Sequence, residues 1–230
     1  MYDFEKEIDR SLSNCAKYEL LQPIFGSTDL LPLWIADMDF ETPNFIIDAL
    51  NTRLAHPVLG YTAMPKGYWR VISEWVKQQH AWTIEEEWCS FIPGIVRGIG
   101  LVINFFTQPG DKVIIQPPVY PPFFHVTKNN GREVVLNPLR ETPEGNYAMD
   151  FEQLESVIEG CKLLILANPH NPAGIVWDKD SLKRLASRCK QHGVIVISDE
   201  IHCDLALFGH RHTPFATVSE EAADISITFQ

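Results

Sequence analysis

Short runs of aliphatic residues recur through the second half of the chain, each followed by a polar or Gly/Pro-rich turn. Residues 112–116 (Lys-Val-Ile-Ile-Gln), 132–136, 163–167, 194–198 and 224–229 are such runs. Their short length and near-continuous apolar character predict strands buried on both faces. Between them the apolar positions change to helical spacing. Asp150 is a candidate N-cap for a helix over 151–159, with Gly160 beyond its end. Leu182, Leu185, Ala186 and Cys189 mark one face of a second helix over 179–192, closed by Gly193. Residues 95–106 are mostly apolar and predict a buried helix. Further upstream, Thr42 reads as an N-cap with Pro43 at the first helical position, ahead of Ile46, Ala49, Leu50 and Leu54. Tyr68, Ile72, Trp75 and Val76 mark another helical face. Strands alternating with helices predict an α/β fold with a doubly wound, mostly parallel sheet.

Residues 1–42 lack this alternation and are set apart as an N-terminal arm; residues 43–230 are expected to form one α/β domain. The chain stops at Gln230, directly after an apolar strand with no helix behind it, so a longer chain is expected. A net charge of -11 argues against a nucleic-acid footprint and against docking on an anionic membrane. No apolar stretch reaches membrane-spanning length, and the acidic start (Met1-Tyr2-Asp3-Phe4-Glu5) is unlike a signal peptide. Five widely spaced cysteines without a C-x-x-C pair fit reduced thiols in a cytoplasmic protein.

Candidate chemistry gathers where strands end. Val194-Ile-Val-Ile197 leads into Ser198-Asp-Glu-Ile-His202, and Leu163 to Ala167 leads into Asn168-Pro-His-Asn-Pro-Ala-Gly174. In an open α/β sheet that edge binds ligands. A carboxylate such as Asp199 behind four β-branched residues is costly to bury unless a charge or a good hydrogen bond compensates. A protonated ring nitrogen would do so; a metal or a neighbouring helix end would too. Asn171 lies between prolines that restrict where its amide points, though Asn and Pro are also ordinary turn residues. Gly94-Ile95-Val96 opens a helix, whose free amides and dipole suit a phosphate. The spacing Gly94, Gly98, Gly100 serves close helix packing equally well. Tyr120, in the proline-rich segment Gln116–Phe124, is expected on a stiff, extended stretch where its ring could stack on a planar ligand or join the core.

His202, His210 and His212 with Cys203 and Asp204 superficially suggest a metal cluster. No helical His-x-x-x-His or His-Glu-x-x-His pairing exists, so no metal site is expected. There is also no Gly-x-Ser-x-Gly elbow.

Together these motifs resemble the fold type I pyridoxal 5'-phosphate (PLP) enzymes of the aminotransferase class I/II family. The carrying residues are Asn168-Pro-His-Asn-Pro-Ala-Gly174, Ser198-Asp-Glu-Ile-His202, Pro93-Gly-Ile-Val96 and Pro118-Val-Tyr-Pro-Pro122, in the family's order. Trp34-Ile-Ala-Asp-Met-Asp-Phe40 and Leu59-Gly-Tyr-Thr62 resemble more specifically the MalY/PatB branch of cystathionine β-lyases. The resemblance implies a three-layer PLP-transferase large domain, incomplete at its C-terminus, with an N-terminal segment of the small domain. It implies that Asp199 pairs with the pyridine nitrogen, Asn171 with the phenolic oxygen, and that Tyr120 stacks on the ring. Gly94, Ile95 and Val96 would hold the phosphate through their backbone, and Tyr61 would reach the phosphate of the other subunit in a homodimer. Ala36 and Asp37 would lie near an amino-acid substrate. His202 stands where many aminotransferases have a tyrosine. The family's Schiff-base lysine would fall beyond Gln230. The implied activity is β-elimination from cystathionine or cysteine, giving pyruvate, ammonia and a thiol. The alternatives are an aminotransferase, or a non-catalytic regulator that keeps the fold.

Overall fold

The computed structural model describes residues 2–11 and 13–230, which fall into two compact units, one up to Met64 and one spanning Pro65–Gln230. The boundary expected at residue 42 lies inside the first unit. That unit holds α1 (Ala16–Glu19), α2 (Leu21–Phe25) and α3 (Asn44–Leu54). Its firm point is ionic. Arg10 forks onto Asp37 and Asp39 at 2.5 and 2.6 Å, and Lys17 reaches Asp39 at 2.6 Å. Trp34 Nε1 donates to the Lys17 carbonyl at 3.0 Å. The helix start expected at Thr42 is not used. Pro43 takes the cap position with an extended ψ of 134°, which holds it outside the helix, and among the described residues no side chain caps α3. The apolar face of α3 is exposed.

The second unit is a three-layer sandwich. It opens with α4 (Tyr68–His80) and α5 (Ile95–Phe106). Its sheet comprises β1 (Lys112–Ile115), β2 (Glu133–Leu136), β5 (Cys161–Ala167), β6 (Ile195–Asp199) and β7 (Ser226–Phe229), in the order β2-β1-β5-β6-β7. Every pairing is parallel. A two-stranded hairpin, β3 (Arg140–Glu141) with β4 (Tyr147–Ala148), stands apart. The central strands alternate between two cores because successive side chains point to opposite faces. Val113, Ile115, Leu163, Ile165, Ala167, Ile197 and Phe229 face α5 and α6 (Pro122–Asn129). Ile114, Leu164, Leu166 and Val196 face α7 (Phe151–Val157), α8 (Lys179–His192) and α9 (Glu220–Ile225).

Local signals explain the well-placed helices. Asp150 accepts from the Gln153 amide, capping α7 as its position suggests, and Asp178 accepts from the Ser181 amide to cap α8. Three expectations change. The run 224–229 is helix as far as Ile225 and strand only from Ser226, since Ser219 caps α9 and Glu220 and Glu221 occupy its positive first turn. The proline-rich segment is not extended throughout. Pro121 already has helical φ and ψ, and Pro122 occupies the first turn of α6, where a missing N–H costs nothing. Helix α5 is not buried all round. Ile99 and Ile103 are inaccessible, whereas Leu101 and Phe105 are 60% and 80% exposed, because an outer-layer helix packs only one face on the sheet.

Candidate functional site

The strand order places a crevice. From β1 the chain moves outward to β2 through α6, then returns past β1 to β5 through α7 on the opposite face. The loops leaving β1 and β5 therefore part in opposite directions, which is the topological switch point of an open α/β sheet. Tyr120 comes from the first loop and Asn171 from the second. They meet through the backbone, Tyr120 N–H donating to the Asn171 carbonyl at 3.0 Å. The Asn168 amide donates to the Asp199 carbonyl at 2.9 Å, joining the β5 loop to the end of β6. The tip closes on itself through His170 N–H to the Ile175 carbonyl and Gly174 N–H to the His170 carbonyl. Gly174 has φ +65°, a left-handed conformation that suits glycine. Among the described residues the Asn171 side chain bonds nothing, so its amide is free for a ligand. The Tyr120 ring is half-buried and meets Phe123 edge-on at 5.7 Å.

Asp199 closes β6 and is 8% exposed. Strand alternation puts it on the side of Ile197, facing α5 and α6. Burial pushes its carboxyl pKa up, which the Ile201 amide at 3.3 Å and the charge of His202 only partly oppose. Among the described residues it forms no ion pair. His202 is half-buried, and no side-chain hydrogen bond holds it among the described residues.

On the same side of the sheet, α5 begins at Ile95. Gly94 precedes it with φ +102°. Its own N–H is taken by the Ile92 carbonyl at 2.9 Å, so of the expected trio it is a turn residue in this structure. The Ile95 and Val96 amides have no partner among the described residues, and no side chain caps this twelve-residue helix. They remain available, with the helix dipole behind them, to an anionic group. Gly98 and Gly100 serve packing. A Cβ on Gly98 would lie 2.4 Å from Phe229 Cε1, and one on Gly100 would lie 3.2 Å from Val126 Cγ2.

In the first unit, Ala36 is exposed, and the Asp37 carboxylate is engaged by Arg10. That contact holds the Asp37 pKa below the usual carboxylate range. Tyr61 is fully exposed.

Among the described residues, His202, His210 and His212 do not gather with Cys203 and Asp204 into one group of donor atoms. Among the described residues the one metal-like grouping is His80, Cys203 and Asp204, with donor atoms within 4.8 Å of one another. It is already satisfied internally, since the Asp204 oxygens are met by Trp75 Nε1 and His80 Nε2, each at 2.8 Å. Burial pushes the Cys203 thiol up to about 12, with Asp204 and Glu200 adding to the shift.

Sequence reasoning missed a second feature of β6. Ser198 and Glu200 continue the strand alternation on the face opposite Asp199, and Glu200 is inaccessible. Its Oε1 accepts from Ser198 Oγ at 2.7 Å and Phe215 N–H at 2.8 Å, and its Oε2 meets His212 Nε2 at 2.8 Å. Two adjacent acids behind an apolar strand were the available signal. With period-two alternation, both cannot face the same side.

A doubly wound three-layer domain with polar groups at two strand ends and an uncapped helix start among the described residues defines the class. The chain belongs to the aminotransferase class I and II family, which it matches over residues 28–229. It is 44% identical to cystathionine beta-lyase PatB of Bacillus subtilis over 228 residues, 98% of this chain and 59% of that protein. It is 36% identical to protein MalY of Escherichia coli over 222 residues, 95% of this chain and 57% of that protein. The crystal structure of cystalysin from Treponema denticola, which contains a pyridoxal 5'-phosphate cofactor, superposes with a TM-score of 0.92 at 36% identity. That match covers 99% of this chain and 59% of the other. The chain thus spans under two thirds of the length of these relatives.

Proposed function

We propose that this chain supplies the ring-binding part of a PLP site in a carbon–sulfur β-lyase acting on sulfur amino acids such as cystathionine or cysteine. The observation that carries the reading is Asp199, a buried carboxylate that forms no ion pair among the described residues, at the C-terminal end of β6. A pyridinium N–H is the partner such a group lacks. The free Asn171 amide, the half-buried Tyr120 ring and the unbonded Ile95 and Val96 amides fit the rest of the same ligand.

When bound, PLP supplies an electron sink for charge developing at the substrate α-carbon. In this reading Asp199 holds the proton on the ring nitrogen, and Asn171 donates to the phenolic oxygen. Tyr120 covers one ring face, and His202 adds positive potential beside Asp199. Ile95 and Val96 hold the phosphate, Gly94 providing the turn before them. Tyr61 would serve the partner subunit's phosphate in a homodimer, and Ala36 and Asp37 would border the substrate. The division into an N-terminal arm over 1–42 and a cofactor-binding domain over 43–230 belongs to the same proposal. So does a cytoplasmic location, which the five free cysteines support; no helix among the described residues is long and apolar enough to cross a membrane.

The test uses full-length protein. Release of pyruvate from cystathionine without a keto-acid acceptor is expected. Strict dependence on 2-oxoglutarate would make the protein an aminotransferase, a reading its family membership favours next. Failure to take up PLP would sink both and leave a non-catalytic binding protein.

A further inference from the structure

The Glu200 and His212 side chains are both inaccessible and lie 2.8 Å apart. A buried carboxylate–imidazole pair is poor evidence for stability, because well-packed apolar residues usually serve as well. What distinguishes this one is its reach. Besides Ser198, Phe215 and His212, Glu200 is approached by Asn168 Nδ2 and Gln230 Nε2, each at 3.4 Å. Its own amide donates to the Phe229 carbonyl at 2.8 Å. One residue therefore ties together the C-terminal ends of β5, β6 and β7. Asn168 in turn donates its backbone N–H to Asp199 and its side chain to the Thr213 carbonyl at 3.1 Å. His212 is backed by the His80 ring, edge-on at 5.2 Å, and His80 is fixed by Asp204 and through it by Trp75 of α4.

We propose that Glu200, seated by His212, is a positioning residue: its clamp on three strand ends fixes the backbone on both sides of Asp199 and the root of the Asn168–Asn171 loop, and so sets how both meet a bound ring. This rests on the PLP reading of the site. Neither Glu200 nor His212 faces the crevice; they act through Asp199 and Asn168. A supporting shell of this kind governs geometry to a fraction of an ångström.

The experiment compares full-length wild type with His212→Gln and Glu200→Gln. Three quantities are read: the PLP dissociation constant, the visible circular dichroism of bound PLP, and the thermal midpoint of the apo protein. The dichroism reports ring orientation, which a purely structural role would leave alone. For His212→Gln the apo midpoint is expected to move little. PLP affinity should fall about tenfold, the effect of one well-made hydrogen bond, and the dichroic band should change in amplitude. Glu200→Gln should act in the same direction and more strongly, since its new N–H₂ faces donors. Wild-type affinity and dichroism in both variants would overturn the proposal. So would variants that do not fold, or whose folded fraction binds PLP normally, because the pair would then be structural only. If wild type itself binds no PLP, the parent reading has failed and this inference falls with it.

Discussion

The Tyr120 amide donates to the Asn171 carbonyl across 3.0 Å, and that bond joins the two loops that part at the sheet's switch point. It uses only backbone atoms. Among the described residues the Asn171 side chain makes no hydrogen bond, an odd state for an amide held between two prolines. Asn171→Ala should leave the thermal midpoint of the apo protein within the usual range for a neutral surface change, about 0.5 kcal/mol. It should weaken PLP binding by about tenfold, as expected for one lost hydrogen bond to a charged oxygen. Equilibrium titration with PLP checks this. An unchanged dissociation constant would remove Asn171 from the site.

Asp199 presents the opposite balance. Burial raises its carboxyl pKa in the folded protein, so at neutral pH the ionised group opposes folding. Its stabilising contribution is full below the unfolded carboxylate value and is lost as pH rises through the folded pKa. Asp199→Asn should therefore make the apo protein more stable than wild type near pH 7, with the gap closing on acidification. The same variant should lose about 2 kcal/mol or more of PLP affinity, since it truncates one half of a buried, hydrogen-bonded charge pair. Denaturant melts of apo protein at several pH values, paired with PLP titrations, test both arms. A destabilised apo variant would mean that the carboxylate has a partner within the protein.

The features legible in the sequence are those fixed by local chemistry. Asp150 declares the start of α7 because an N-cap needs only its own next turn. The aliphatic runs declare β1, β5 and β6 because strands buried on both faces are apolar throughout. Asp199 and Asn171 could be singled out because each follows such a run. Less legible were features set by tertiary partners. The exposed outer face of α5 carries Leu101 and Phe105, and residue type alone could not tell it from the face carrying Ile99 and Ile103. Glu200 and His212 are twelve residues apart, and nothing local says that they meet beneath the β6 end. Gly94 looked like part of a phosphate loop, but its N–H turns back to Ile92, a choice made by the backbone.

Gly98 offers a packing test free of any cofactor. Alanine would improve helix propensity by about 1 kcal/mol. Its Cβ would, however, sit 2.4 Å from Phe229 Cε1 and 3.2 Å from Ile92 Cγ2, on the side of α5 that lies against β7. Phe229 is buried, so its ring has little room to retreat. The steric term should win, giving Gly98→Ala a net loss of about 1–3 kcal/mol. Phe229→Leu removes the clashing atoms. The cost of Gly98→Ala should therefore be smaller in that background, a coupling that a double-mutant cycle measures directly. Strictly additive losses would mean that the helix shifts rather than the ring.

His170 provides the pH-sensitive element of the β5 loop. It is 3% exposed and packs edge-on against Trp177, and neither ring nitrogen has a partner among the described residues. Burial pushes its pKa down to about 4, opposed in part by the nearby Gln116 backbone. Between the unfolded value near 6.5 and that folded value, the unfolded chain binds the extra proton. The neutral ring's contribution is therefore complete above about pH 6.5, declines as pH falls, and is gone below the folded pKa. The loss has an upper limit of order 3 kcal/mol. His170→Phe keeps a planar ring beside Trp177 and, with no hydrogen bond to lose, should cost little at pH 7. At pH 4.5 it should be more stable than wild type. Urea unfolding of both proteins at the two pH values isolates this term, since the carboxylates titrate alike in each. A difference that does not change with pH would show that His170 reaches solvent or a proton acceptor in solution.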